Sequence, residues 1–344
     1  MLTPLYTITH QLLEHIKKIN SLILELNHQH FPHVVLVEFE HLAREISTYA
    51  STSIEGNPLP LTEVKKVLKH EPAQVRKSEQ EVINYNHALE ELNEGILKKT
   101  ISFDLHLILR IHAHITRSLM PTSQVGFLRS DPVFVNDPRT GNPIYLPPEA
   151  KDVQVLMDEL IEFVTTHRGD IDPLILAGIF HKQFVIIHPF MDGNGRIARL
   201  ATKVLLADMG LDTFSLFSFE NYYNQNVTRY FQTVGASGNY YDLKSTLDFT
   251  LWLEYFTEGL IDELMRVQKL LPTIHTSPNT ELKPYHLQIL DIIKEKGYVK
   301  DEDYAKVTDR AKATRALDFK YLINLGLITK MGKGRATYYT LKKQ

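Results

Sequence analysis

His188 to Arg199, HPFMDGNGRIAR, places an imidazole, a carboxylate, a glycine-rich turn and two arginines within twelve positions, a mixture that packing alone does not call for. The preceding run, Pro173 to Ile187 (PLILAGIFHKQFVII), has apolar residues at helical spacing. Ile197, Leu200, Ala201, Val204 and Leu205 repeat that spacing afterwards. The stretch therefore reads as helix, tight loop, helix. Gly193 and Gly195 permit backbone angles closed to other residues, and the second helix points its positive end at the loop, which makes an anion site suited to phosphate. Arg196 and Arg199 lie three apart and share a face near that helix start, where two forked guanidinium groups can grip a polyphosphate. A nucleoside triphosphate is the ligand this suggests. Asp192 is a hard oxygen ligand placed to share Mg²⁺ with phosphate oxygens. His188, with an ordinary pKa near neutrality, suits proton removal from an incoming hydroxyl. A competing reading takes His181, His188 and Asp192 as ligands for zinc or iron, but leaves the arginines without a role.

On these residues the sequence resembles the Fic (filamentation-induced-by-cAMP) family, whose signature HPFx[DE]GNGRxxR is met at every fixed position. The resemblance implies a mainly α fold and transfer of AMP from ATP to a Ser, Thr or Tyr hydroxyl of a protein target, the chain itself included. His188 would be the general base and Asp192 the Mg²⁺ ligand. Gly193, Asn194 and Gly195 would cradle the phosphates, with Arg196 on the β-phosphate side, Arg199 on the γ-phosphate and Phe190 anchoring the loop. Removal of AMP from a modified protein in the same pocket, or transfer of another phosphate-containing group, are the enzymatic alternatives. A DNA-binding regulator whose core senses nucleotide is the alternative from another class.

Upstream, Ser51 to Gly56 (STSIEG) follows a helical run from Val37 and fits the family's inhibitory pattern [ST]xxxE[GN]. Ser51 and Glu55, four apart, fall on one helical face. The resemblance implies an inhibitory helix at about 37–56 whose Glu55 pairs with Arg199 and keeps the γ-phosphate from docking. Independently of the family, a carboxylate that captures Arg199 removes a phosphate clamp and adds negative charge where ATP brings its own. Gly56, Asn57 and Pro58 also read simply as a helix end, and Glu55 as a residue that positions water for the reverse hydrolysis.

Between Gly126 and Pro148, extended runs at Val133–Asn136 and Pro143–Leu146 flank the turn-rich DPRTGN, which predicts a β-hairpin. In Fic proteins such a hairpin is the flap, where a target segment adds by main-chain hydrogen bonds. Gly126 and Arg129 match a GxxR element before it, although Arg129 equally reads as a surface ion-pair partner. Downstream, Phe219 to Tyr230 (FENYYNQNVTRY) supplies Asn226 and Tyr223 as candidates for the adenosine pocket, while Tyr222 and Tyr230 read equally as core.

At 344 residues the chain suggests two or three modules. They are a helical region at 1–100, a Fic catalytic core at 101–270 with the flap at about 126–148, and a C-terminal domain at 281–344, divided by the Pro- and Thr-rich Leu271–Lys283. The absence of cysteine excludes disulfides, thiolate metal sites and cysteine nucleophiles, and a cytoplasmic protein is expected. The first twenty residues lack a basic start and an apolar core, and no run of eighteen apolar residues occurs, so neither signal peptide nor membrane span is expected. Net charge is −3 but uneven: Glu281–Gln344 carries 14 Lys and Arg against 8 Asp and Glu, the remainder 24 against 33. That basic tail reads as helices at Tyr285–Lys296, Asp301–Val307 and Ala311–Asn324, then two strand-like runs joined by a glycine turn. It resembles a winged helix-turn-helix, in which Lys312, Arg315 and Lys320 would enter a DNA groove and Lys333 and Arg335 touch phosphate. Homodimerisation is expected from the Fic resemblance alone, since no heptad pattern is present.

Overall fold

The chain folds into two compact units, residues 1–28 with 44–266 and residues 29–43 with 267–344. The structure, a computed structural model, describes residues 2–28, 33–136, 141–270, 282–324, 327–332 and 334–341, without the side chains of 33–38, 294 and 335. In chain order the elements of the first stretch are α1 (His10–Asn27), α2 (His33–Ile54), α3 (Leu61–Lys69), α4 (Lys77–Leu97) and α5 (Leu105–Thr116). A small sheet follows with β1 (Val135–Asn136) and β2 (Pro143–Leu146), then α6 (Ala150–Thr166), α7 (Pro173–Ile187), α8 (Asn194–Leu206), α9 (Glu220–Gln225) and α10 (Val227–Val234). β3 (Gly238–Asn239), α11 (Tyr240–Leu243) and α12 (Thr250–Leu270) complete it.

α7 is the centre of the first unit because its sequence is apolar on every side: all but two of its residues are buried. Asp172 caps its start by accepting from the Leu174 N–H, and Pro173 sits at the first helical position, where a missing N–H costs nothing. Gly178 lets α12 approach closely, since a Cβ there would lie 2.6 Å from Leu253, and Trp252 donates to the Gly178 carbonyl at 2.8 Å. α8 packs along α7, with α5 and α4 behind it. The predicted separation of 1–100 from 101–270 is therefore not observed: Val82, Tyr85 and Leu89 of α4 are buried in the same unit as the central helices.

The predicted hairpin forms, with Val135 opposite Tyr145 in antiparallel register, though residues 137–140 of its turn lie outside the described residues. β3 adds a third, parallel strand through Tyr145 to Gly238. The sequence offered no sign of it, because two residues cannot show an alternation. Tyr145 anchors the sheet by donating to the Ile186 carbonyl of α7 at 3.0 Å.

In the second unit lie α13 (Pro284–Lys296), α14 (Asp301–Ala305) and α15 (Lys312–Asn324), followed by the antiparallel pair β4 (Ile328–Met331) and β5 (Tyr338–Leu341). Ile289, Leu290, Ile293, Val299, Phe319 and Leu322 form its core. Arg315 does not have the free guanidinium that groove reading requires. It makes two bonds of 2.8 Å to Asp301 and a third to the Arg310 carbonyl. Lys312 and Lys320 are exposed, whereas Lys333 and the Arg335 side chain lie outside the described residues, as does most of the predicted boundary segment.

Candidate active site

α7 ends because Pro189 cannot continue it, and His188 closes it in the left-handed conformation at φ 50°. A non-glycine residue held there is strained by about 1–3 kcal/mol, and such strain persists only where surrounding contacts fix it. Arg129 provides them. It donates from Nε to the His188 carbonyl at 2.8 Å, from Nη2 to the Pro148 carbonyl at 2.5 Å and from Nη1 to the Asp131 carbonyl at 3.1 Å. Its backbone N–H meets the Pro189 carbonyl at 2.9 Å. The surface ion-pair reading of Arg129 is therefore overturned: the side chain is buried on carbonyls, and it ties the end of the hairpin to the His188 loop. Arg129→Ala should lower stability by about 3 kcal/mol, the scale of losing charge-assisted bonds at a buried site. Chemical denaturation measures it, and a loss under 1 kcal/mol would refute this account of the clamp.

The His188 ring is oriented by Nδ1, which lies 3.2 Å from the Val185 carbonyl and so carries the proton, leaving Nε2 as the basic nitrogen. Burial lowers its pKa below the ordinary value. The Val185 bond and the charges of Glu55 and Asp192 act the other way, and Arg129 adds to the lowering.

Gly193 caps α8 at φ 83°, and a Cβ there would stand 3.0 Å from Ile115 of α5. Asn194 locks the turn by bonding both the Phe190 N–H at 2.9 Å and the Phe190 carbonyl at 2.8 Å. Phe190 is fully buried, as expected of an anchor. Asp192 accepts from the Gly193 N–H at 2.6 Å and from Arg196 at 3.2 Å, while its side chain stays 54% exposed. The amides of Asn194, Gly195 and Arg196 are left at the helix start, without intrahelical acceptors and at its positive end. Arg196 is buried, and its Nε and Nη1 have no hydrogen-bond partner.

Arg199 is fully buried and engaged by the end of α2. Its Nε donates to Ser51 Oγ at 2.7 Å, and its Nη2 to the Ser51 carbonyl at 2.9 Å and to Glu55 at 2.8 Å. Burial opposes the charge, but the Glu55 carboxylate together with the Tyr230 and Tyr85 hydroxyls raises the Arg199 pKa overall. Glu55 lies just past the last helical residue, Ile54, in a turn that Gly56 completes at φ 89°. A Cβ on Gly195 would collide with the Glu55 carboxylate, which therefore lies directly over the glycine loop.

Behind Arg199 is a relay absent from the sequence reading. Arg199 Nη1 donates to Tyr230 Oη at 3.3 Å, which lies 2.9 Å from His181 Nε2, and His181 Nδ1 lies 3.0 Å from Thr202 Oγ1. With both ring nitrogens committed and complete burial, His181 has no lone pair to offer a metal. No cluster of three potential ligands occurs among the described residues, and the zinc or iron reading falls. Tyr223 is likewise not available to an adenosine. It is fully buried, bonded to the Phe256 carbonyl at 3.1 Å and stacked on Tyr230, so it belongs to the core. Asn226 is exposed and caps α10 by accepting from the Arg229 N–H.

Residues 102–206 match the family model for the Fic/DOC family. That match takes in α5 through α8, hence Arg129, His188 and both motif arginines, but excludes Ser51, Glu55 and Tyr230. Over 176 residues the chain is 30% identical to a protein adenylyltransferase Fic of Nematostella vectensis, covering 50% of this chain and 38% of that protein. It is 28% identical to the namesake of Drosophila melanogaster, covering 33% of it. The chain thus spans well under half the length of these curated relatives. Its Fic fold is also that of a Fic family protein from Desulfovibrio desulfuricans, with a TM-score of 0.63 at 21% identity over 99% of both chains. Fic-1 from C. elegans gives a TM-score of 0.60 at 22% identity, covering 76% of this chain and 73% of that one. Among the described residues no helix is long and apolar enough to cross a membrane.

Proposed function

We propose that this chain is a protein AMP-transferase restrained by Glu55. The observation that carries the reading is the free Nε2 of His188 beside the α8 amide cradle, with the unpaired donors of Arg196 in the first turn of the same helix. In the reaction so proposed, Nε2 takes the proton of a target hydroxyl. The oxygen bonds to the α-phosphorus of ATP, the bridging bond to the β-phosphate breaks, and pyrophosphate leaves. The Asn194, Gly195 and Arg196 amides and the Arg196 side chain hold phosphate oxygens where negative charge builds up, with Gly193 giving the turn its shape, and Arg199 meets the γ-phosphate once Glu55 releases it. The half-exposed Asp192 carboxylate fits a Mg²⁺ that takes its other ligands from phosphate and water, and such an ion would neutralise phosphate charge. Asn226 is retained as the adenosine contact.

The hairpin is proposed as the target-docking flap. Both edges of β2 are paired, by β1 and β3, so an incoming extended segment is assigned to the outer edge of β1. The C-terminal elements are proposed to form a winged helix-turn-helix. With Arg315 held by Asp301, its DNA-binding reading loses a main support.

Incubation with MgATP labelled at the α- or the γ-phosphate tests the reaction. Protein-bound label is expected from α-labelled ATP only, weak with wild type and strong with Glu55→Gly. Label from γ-labelled ATP would make the chain a kinase instead, and none from either, with lysate present, would favour the nucleotide-sensing alternative.

A further inference from the structure

We propose that His112, on α5, is a phosphate-binding residue of this site, its Nε2–H donating to the same phosphate as Arg196. The inference rests on the reading of the loop as a nucleotide site, and it adds to that site a residue seventy-six positions before His188.

The His112 side chain is completely buried, and its ring lies flat on Phe190, the anchor of the loop, with centroids 4.0 Å apart and planes 13° apart. Nδ1 accepts from the Gly126 N–H at 2.8 Å, which fixes the proton on the opposite nitrogen, Nε2. Nε2 is buried and has no acceptor in the protein. It shares that condition with Nε and Nη1 of Arg196, and the charges of both Arg196 and Asp192 reach the His112 ring. α5 is also the helix directly beneath the loop, since Ile115 and Thr116, within the next turn, are what a Cβ on Gly193 would touch.

Buried donors are almost always paired, so three unpaired donors around one loop, all N–H and none an acceptor, select an acceptor-rich anion. A phosphate group offers that chemistry where a hydroxyl or an ammonium does not. Burial lowers the His112 pKa to about 4, so at neutral pH the ring acts as an uncharged donor and adds no second cation to the buried Arg196. The hydrogen bond from Gly126 gives His112 a second duty, as a brace for the segment that leads to Arg129, and the test must separate the two.

Asn and Gln separate them, because an Asn amide reaches the position of Nδ1 and a Gln amide that of Nε2. In the full chain carrying Glu55→Gly, ATP and AMP affinities are measured by titration calorimetry for the parent, His112→Asn and His112→Gln. His112→Asn keeps an acceptor for Gly126 and loses the donor. ATP should bind about tenfold more weakly, one charge-assisted hydrogen bond, with AMP little changed. His112→Gln keeps a donor and should bind ATP nearly as the parent does, even if it melts lower. Equal ATP affinity in all three, or the reverse order, overturns the assignment and leaves His112 as a brace only. A Glu55→Gly parent that binds no ATP would overturn the nucleotide reading itself, and the inference with it. Should His112→Asn fail to fold, the Nε2–H resonance of His112 is followed by NMR in the parent. A shift on adding ATP but not adenosine supports the contact, and no shift overturns it.

Discussion

In the Glu55→Gly background, His188→Ala should slow AMP transfer by about a hundred- to ten-thousandfold, the range typical of losing a positioned general base. ATP affinity should change little, because the phosphate cradle is built from α8 amides and Arg196, none of which depends on the imidazole. A kcat that falls with an unchanged ATP KM is the pattern of an interaction made only in the transition state. The pH profile gives a second reading. Burial holds the His188 pKa below the ordinary histidine value of about 6.5, so the basic form persists through neutrality, and activity is lost only as pH falls through the lowered pKa. Glu55 raises that pKa, so its removal should move the acid limb of kcat/KM further down. An acid limb above pH ~7, or a His188→Ala loss below about tenfold, would assign the proton transfer to another group.

The helix–loop–helix around His188 was legible because its signals are local. A largely apolar run, a proline, two glycines and a second apolar repeat occupy adjacent positions, and each constrains the backbone by itself. What holds the site together is not local and was mostly invisible. Arg129 is buried on carbonyl groups, and a carbonyl is present at every residue, so no side-chain pattern marks its partners. Arg315 looked available for DNA because its partner Asp301 stands fourteen positions away on another helix.

The Tyr230–His181–Thr202 relay shows a second reason. A tyrosine at helical spacing reads as apolar surface, and the sequence does not say where its hydroxyl ends up. Tyr223 and Tyr230 illustrate the ambiguity: they stack 5.1 Å apart, yet one phenol serves a core carbonyl while the other supports Arg199. The link between Glu55 and Arg199 spans 144 positions. Only the resemblance to a known inhibitory pattern joined them in advance.

Glu55→Gly should raise AMP transfer by about ten- to a hundredfold while making the free protein less stable. The activating part follows from position: the carboxylate lies over Gly195 and occupies Arg199, so ATP must displace a partly buried charge-assisted hydrogen bond worth about 1.5–3 kcal/mol. Converted at 1.4 kcal/mol per factor of ten, that contact accounts for the expected increase. The destabilising part follows from Arg199 itself. Without Glu55 it keeps Ser51 and Tyr230 as partners but is left a fully buried cation with no countercharge in contact, a loss of about 1–3 kcal/mol given that Glu55 is 28% exposed. Thermal unfolding should therefore show a lower Tm for Glu55→Gly alone. MgATP should recover more of the Tm in Glu55→Gly than it adds to wild type, because a ligand stabilises the form it binds more tightly. Equal MgATP shifts in both proteins would mean that the Glu55 carboxylate does not compete with the γ-phosphate. A more active Glu55→Gly would then owe its gain to a later step than binding.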